Sequence, residues 1–337
     1  MILIYIKNNI ILFSKMIKNR KKLERNYVNP RFPFSFVGRN KLANHLNTSN
    51  KNINEKFLAF QNVYTLHRFA RKPSHFNPYF IHKPREQIQM DLIELSRKRK
   101  YAKNNENYNY ILIAIDSFSK RIWLQPMKNK SGQQSLEAIK KMLNEMGIPS
   151  PKSIVFDRGL EFTNRQVINF LKEKNITVIH PKTIVKASIV ERFNSTIKNT
   201  IFKFLTNSND SSYIKELNNF QFAYNNRPHS GIFNFSPIEA EKNENIDIIR
   251  RKYQEKRNET IMWAKNKKAT FKIGDQVKIR KKTGWLQRGY KQTFSNKNYI
   301  IDSINDRLPI VLYKLKNLDS GQKIDKSFYS ENLQLVK

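Results

Sequence analysis

Apolar positions in the first part of this chain keep no regular spacing, whereas from residue 87 onward they settle into strand-like and helix-like periods. Residues 1–55 are basic, rich in Asn and aperiodic, which predicts a mostly unstructured tail. Glu55 to Phe69 has the pattern of a short helix, and the prolines of Arg71-Lys-Pro-Ser-His-Phe-Asn-Pro78 mark a linker. Gln87 to Leu95 reads as a strand, Asn109-Tyr-Ile-Leu-Ile-Ala-Ile-Asp116 as a buried strand, and Arg121-Ile-Trp-Leu-Gln-Pro126 as a third. Ser131 is a good N-cap for an amphipathic helix that runs to Met146 and ends at Gly147. Ser153-Ile-Val-Phe156 is a short apolar strand ending at Asp157. Arg165 to Lys174 is helical, Thr177-Val-Ile179 is a strand, and a long helix starts at Ser188.

Three strands followed by alternating helix and strand describe an α/β domain, a mixed sheet with helices on its faces. Helices continue through Tyr213–Asn225 and Ile246–Ala264. The pattern then changes to short strands at Val277-Lys-Ile-Arg280, Tyr299-Ile-Ile-Asp302, Ile310-Val-Leu-Tyr313 and Ile324–Phe328. Turns are expected at Lys282-Thr-Gly284 and Asp319-Ser-Gly321, so this part reads as a small β-barrel. The expected divisions are a basic tail (1–55), a short helix and linker (56–84), an α/β domain with its following helices (85–245), a helical linker (246–268) and the barrel (269–337).

Charge narrows the partner. Lys and Arg number 63 against 27 Asp and Glu, a formal net charge of +36, and self-repulsion of that size points to a polyanion such as nucleic acid. The sequence has no cysteine, which excludes disulfides, thiol nucleophiles and Cys-ligated zinc. His67, His75 and His82 read as surface or DNA-facing imidazoles, and no zinc is expected. No apolar run reaches the roughly 18 residues of a membrane span. The apolar start Met1-Ile-Leu-Ile-Tyr-Ile6, followed by Lys15, Lys18, Arg20, Lys21 and Lys22, has three readings: a transit peptide, a basic nuclear signal, or part of the plain tail, which is preferred.

Three acids stand out by position. Asp91 sits inside a strand between Met90 and Leu92, Asp157 ends a strand, and Glu191 lies in a helix within Lys186-Ala-Ser-Ile-Val-Glu-Arg-Phe-Asn194. Acids on such elements can converge at one sheet edge, at a cost that divalent cations remove. Two hard cations about 3.5–4 Å apart suit in-line phosphoryl transfer. Singly, each acid could merely cap or solvate.

As an ordered set, these motifs resemble the catalytic core of retroviral-type DDE integrases. The resemblance rests on Asp91, Tyr110-Ile-Leu-Ile-Ala-Ile-Asp-Ser-Phe-Ser-Lys-Arg-Ile-Trp123, Phe156-Asp-Arg-Gly-Leu-Glu-Phe162 and Val190-Glu-Arg-Phe-Asn194, with 33 residues between Asp157 and Glu191. Ala223-Tyr-Asn-Asn-Arg-Pro-His229 and Ser236-Pro-Ile-Glu239 resemble the segment after the core in LTR-retrotransposon integrases. Lys186-Ala-Ser-Ile-Val-Glu-Arg-Phe-Asn194, together with the tail (Phe271-Lys-Ile-Gly-Asp-Gln-Val277, Gly289-Tyr290, Tyr313-Lys-Leu-Lys-Asn-Leu-Asp319 and Ser327-Phe-Tyr329), more closely resembles integrases of Polinton (Maverick) DNA transposons.

The resemblance covers roughly residues 60–337 and implies an RNase H-like core with a C-terminal SH3-like barrel. It further implies two Mg²⁺ or Mn²⁺ ions on Asp91, Asp157 and Glu191, DNA and further copies of the chain as partners, and work in the nucleus of a eukaryotic host. Water would trim the element's 3′ end, and the freed hydroxyl would attack target DNA. Two departures are visible. The family's His/His/Cys/Cys module cannot exist here, and Ile88 stands where a Trp is expected, a change that should affect packing only.

Other residues take lesser roles. Asp116, at a turn before Ser117, is the rival to Asp91 and reads as structural. Glu161 is a loop acid or a brace for the site. Asn194 and Lys198 share a helix face with Glu191 and are placed to contact DNA. Lys186 and Ser188 are weaker DNA candidates. In the barrel Lys278, Arg280, Lys281, Lys282, Arg288 and Lys291 interleave with Trp285 and Tyr290, a pattern suited to phosphates and stacking. The leading reading is an active DNA integrase of a mobile element. The rivals are a domesticated or decayed copy that only binds DNA, and an RNase H-like nuclease.

Overall fold

A computed structural model describes residues 20–49, 51, 53, 57–70, 73–78, 80–95, 104–156, 159–181, 188–208, 212–281 and 291–336. The chain forms two compact units: Met1–Phe76 with Lys267–Lys337, and Asn77–Asn266.

In the first unit, helices α1 (Arg20–Val28), α2 (Arg39–His45) and α3 (Asn62–His67) are joined by irregular turns and a short 3₁₀ segment, Leu58–Phe60. Tyr27, Leu42, Ala43, Ile53, Phe57 and Leu58 form a buried cluster. The Tyr27 ring meets Phe57 edge-on at 5.6 Å, and its hydroxyl donates to the Val37 carbonyl at 3.0 Å. The described part of residues 20–58 is therefore folded, not the unstructured tail expected from composition. Its buried side chains are irregularly spaced, so no helical or strand period reveals them.

The second unit contains strands β1 (Gln87–Glu94), β2 (Tyr110–Asp116) and β3 (Ile122–Met127), then helix α4 (Gly132–Met146) and strand β4 (Ser153–Val155). Helices α5 (Leu160–Thr163) and α6 (Arg165–Glu173), strand β5 (Thr177–Ile179), and helices α7 (Ser188–Ser208), α8 (Leu217–Asn226) and α9 (Asn243–Ala264) follow. The sheet order is β3-β2-β1-β4-β5, with β1 antiparallel to β2 and parallel to β4. Side chains alternate across it. Ile88, Met90, Leu112, Ala114 and Trp123 pack against α4 and α6. Ile93, Ile111, Ile113, Ile115, Ile122 and Leu124 pack against α7 and α8. The run Ile111–Ile115 is buried on both faces, which is why it carries no polar residue. Ile88 is fully buried, so the smaller side chain at the expected Trp position still fills its place. The Ser131 hydroxyl caps α4 by accepting from the Gln134 N–H at 3.3 Å, and Gly147 ends the helix at φ 70°.

Helix α8 seals the exposed edge of β3. The Asn225 side chain accepts from the Ile122 N–H at 2.9 Å and donates to the Ile122 carbonyl at 3.0 Å. One turn earlier, Gln221 accepts from the Leu124 N–H at 2.7 Å. Two side chains thus satisfy backbone groups that a bare edge strand would present to another chain.

The first unit is completed by β6 (Gln276–Ile279), β7 (Tyr299–Asn305), β8 (Leu312–Asn317), β9 (Lys323–Phe328) and β10 (Leu333–Leu335). They form an antiparallel sheet in the order β10-β6-β7-β8-β9, the composition expected of an SH3-like domain. The Asp319–Gly321 turn falls between β8 and β9, with Gly321 at φ 68°. Lys282-Thr-Gly284 lies outside the described residues, and β10 was not anticipated. Thr293 and Phe294 donate backbone N–H groups to the Leu66 carbonyl at 2.8 and 3.1 Å, and Arg68 donates to Gln334 at 3.1 Å. The N-terminal helices and the C-terminal strands, expected as separate blocks, share one unit. Among the described residues no helix is long and apolar enough to cross a membrane.

Candidate catalytic site

Strand β1 carries Gln89, Asp91 and Ile93 on the face that meets α7. Ile93 packs into the core beside Val190, Phe193 and Ile197 of that helix. Gln89 is buried, and its carbonyl oxygen accepts from the Val190 N–H at 3.2 Å. That N–H belongs to the first turn of α7 and has no partner within the helix. Two residues on, the Asp91 Oδ2 accepts from the Asn194 side-chain amide at 2.7 Å, and its Oδ1 accepts from the Leu92 N–H at 2.9 Å. The strand therefore grips the helix at two successive turns. Glu191 lies three residues before Asn194 on the same helix face and is exposed, and Lys198 follows on that face, half-buried.

The register of β1 with β4 pairs Gln89 with Val155, each two residues ahead of an acid in the sequence, Asp91 and Asp157. Asp157, Lys186 and Arg288 lie outside the described residues, as does the side chain of Ser188, which opens α7. Asp116, the rival acid, is fully buried and accepts backbone N–H bonds from Phe118 and Ser119 at 2.7 Å each, and from Arg85. Burial pushes its carboxyl up to about 6, against the opposing effect of those donors. Its acceptor sites are spent on the turn that leads to β3. Glu161 lies in the first turn of α5, its carboxylate folded back against Gly159.

Hard divalent cations take carboxylate and amide oxygens. Asp91 is bonded to Asn194, whose Oδ1 is buried and accepts no hydrogen bond, and Glu191 lies one turn away on the same helix face. Those donors suit Mg²⁺ or Mn²⁺. Among the described residues no group of three or more His, Cys, Asp or Glu is placed to hold a metal ion, and Asp157 is not among them.

Sequence reasoning missed Gln89. The available signal was the alternation of polar Gln87, Gln89 and Asp91 within one strand, which marks a face with something other than core to hold. In the β-sheet unit, Lys278 is not the surface cation it was expected to be. It is buried, its ammonium donates to the Asn62 side chain, and burial lowers its pKa. Because β6 alternates, the charge at 278 faces α3, while Arg280 is half-buried and Lys281 exposed.

A five-stranded mixed sheet in this order, flanked by helices, with an acid on the central strand and another on the helix beside it, defines an RNase H-like core. Residues 81–183 match the family model of the integrase core domain. A transposon-derived protein of Caenorhabditis elegans is 29% identical over 204 residues, 60% of this chain and 66% of that protein. The Pro-Pol polyprotein of feline foamy virus is 32% identical over 128 residues, 36% of this chain but 10% of the polyprotein. Among solved structures, the simian T-cell lymphotropic virus intasome in complex with the PP2A regulatory subunit B56 gamma contains a chain of the same fold. The match has a TM-score of 0.54 at 11% identity and covers 89% of this chain and 95% of that one.

Proposed function

We propose that this chain is the integrase of a mobile DNA element of the Polinton type, trimming the element's 3′ ends and joining them to target DNA in the nucleus. The observation that carries the reading is the bond between Asp91 and Asn194, which ties the strand-borne acid, inside the segment that matches the integrase core model, to the helix of Glu191 just after that segment. Asp91, Asp157 and Glu191 would hold two divalent cations. When bound, those cations supply charge neutralisation for the phosphodiester and a more acidic attacking oxygen. The chain's own residues do the rest. Asn194 orients Asp91. Lys198, with Lys186 and Ser188 before the helix, holds the DNA end by its phosphates. Arg280, Lys281 and Arg288 add affinity that does not depend on sequence, and a second copy of the chain brings the second element end.

The test is Mg²⁺- or Mn²⁺-dependent cleavage and joining of labelled element-end duplexes by the purified chain. Asp91→Asn, Asp157→Asn and Glu191→Gln should each abolish both steps while folding and DNA affinity persist. Strand transfer undiminished in Asp91→Asn overturns the assignment. Hydrolysis without joining in the wild type would make the protein a nuclease instead, and DNA binding with neither step would make it a binding module.

A further inference from the structure

Helix α7 lines a cavity on the side away from Glu191, Asn194 and Lys198. Glu191, Asn194 and Lys198 fall on one line of the helix, while Ile189, Arg192 and Thr196 fall roughly half a turn round it. The cavity measures about 230 Å³, smaller than the roughly 300–1,000 Å³ of most small-molecule sites. Its apolar lining includes Phe193 and Tyr224. Lys120 from the β2–β3 turn, Arg192 and Thr196 from α7, His229 from the segment after α8, and Lys256 from α9 supply the polar atoms. No carboxylate lines it, and among the described residues none lies within ion-pair distance of Lys120, Arg192 or Lys256.

We propose that this cavity is a phosphate-binding site. Three cations and the neutral His229 imidazole converge from four separate elements, which suits a tetrahedral anion with several acceptor oxygens. The His229 Nδ1 accepts from the Gly231 N–H at 2.9 Å, so the neutral ring carries its proton on Nε2 as a donor. Lys120 holds a left-handed backbone, φ 61°, and its ammonium donates to the Ser117 carbonyl, with protons to spare. Gly231 keeps a slot open between them: a Cβ there would stand 2.8 Å from His229 Cε1 and 3.9 Å from Lys120 Cε. The local field agrees. Burial, opposed by Asp116 and aided by Arg192 and Lys256, brings the Lys120 ammonium down to about 8. Burial, with Lys120, Arg227 and Arg192, also holds the His229 imidazole below its usual value. An anion would relieve both.

The site rests on no assignment of Asp91, Asp157 or Glu191, so its failure leaves the integrase reading untouched. The experiment is a titration of the full chain with inorganic phosphate at constant ionic strength, following histidine Cε1–H resonances. The His229 resonance should shift saturably, and the shift should vanish in Lys120→Met and Gly231→Ala. Arg192→Gln, on the exposed rim where folding is least affected, should weaken the apparent affinity roughly tenfold. No saturable shift at His229, or one that survives all three substitutions, overturns the site. A short duplex that displaces phosphate identifies the ligand as a DNA backbone phosphate. A phosphate shift that persists when DNA is saturating identifies it as a soluble phosphate. Both results uphold the site.

Discussion

The Asn194 amide donates to Asp91 Oδ2 at 2.7 Å, so the orientation of the strand-borne carboxylate depends on a residue of the helix that carries Glu191. Partners of this kind fix a ligand's angle without touching substrate, and their loss commonly costs 10–100-fold in metal affinity or activity. Asn194→Ala should leave the fold intact, lower strand transfer within about that range, and raise the Mg²⁺ concentration needed for half-maximal rate. A reduced rate with an unchanged Mg²⁺ requirement would show that Asn194 does not act through Asp91.

Gln89→Leu keeps the bulk of the side chain but leaves the Val190 N–H buried without an acceptor. A buried unsatisfied donor costs about 1–3 kcal/mol. Chemical denaturation should show a loss of that order. A stability equal to wild type would mean that α7 is not pinned through this contact.

Asp116 gives a pH signature of defined sign. Its carboxyl titrates near 4 in an unfolded chain and at about 6 in the folded one, chiefly because it is buried. The folded state therefore holds the proton more tightly. This stabilising contribution is complete below about pH 4 and is lost as pH rises to about 6. Stability of wild type relative to Asp116→Asn should fall across that interval and stay level above it. A difference that grows with pH would contradict the assignment. Asp116→Ala should be worse at every pH, since backbone donors at the turn lose their acceptor.

Lys278 and Lys281 separate burial from DNA contact. Lys281→Ala should reduce the slope of log K against log salt by about 0.9 if the ammonium touches a duplex phosphate. Lys278→Met should leave that slope unchanged, because its ammonium is committed to Asn62. Equal effects on the slope would show that the buried lysine is released when DNA binds.

The α/β unit was readable from the sequence because its strands are short apolar runs with sharp ends. Ile111–Ile115 stops at Asp116, and Ser131 and Gly147 punctuate α4 from both sides. The helix face shared by Glu191, Asn194 and Lys198 was readable from spacing, whereas the bond from Asn194 to Asp91 was not. Nor was Gln89, since its role comes from a helix about a hundred positions later in the chain. Likewise Lys278 has the composition of a DNA contact and becomes a buried donor only through Asn62. The helices Arg20–Val28 and Arg39–His45 escaped notice for the same physical reason. Their burial depends on Tyr27, Leu42, Ile53 and Phe57 meeting across irregular turns, which leaves no period to detect.

One consequence of the interleaved topology concerns the ribosome. Arg68 and Gln334, joined by a hydrogen bond, are 266 positions apart. At about 5–20 residues per second, the interval between their synthesis is on the order of 10–50 s. During that time the cluster around Tyr27 and Phe57 can form from its own residues, but the Leu66 carbonyl has no Thr293 or Phe294 to receive. The middle unit is translated whole before the outer one can close. Leu66 and Arg68, made before the middle unit, are thus among the last to reach their final hydrogen bonds, the reverse of the usual N-to-C order of domain folding.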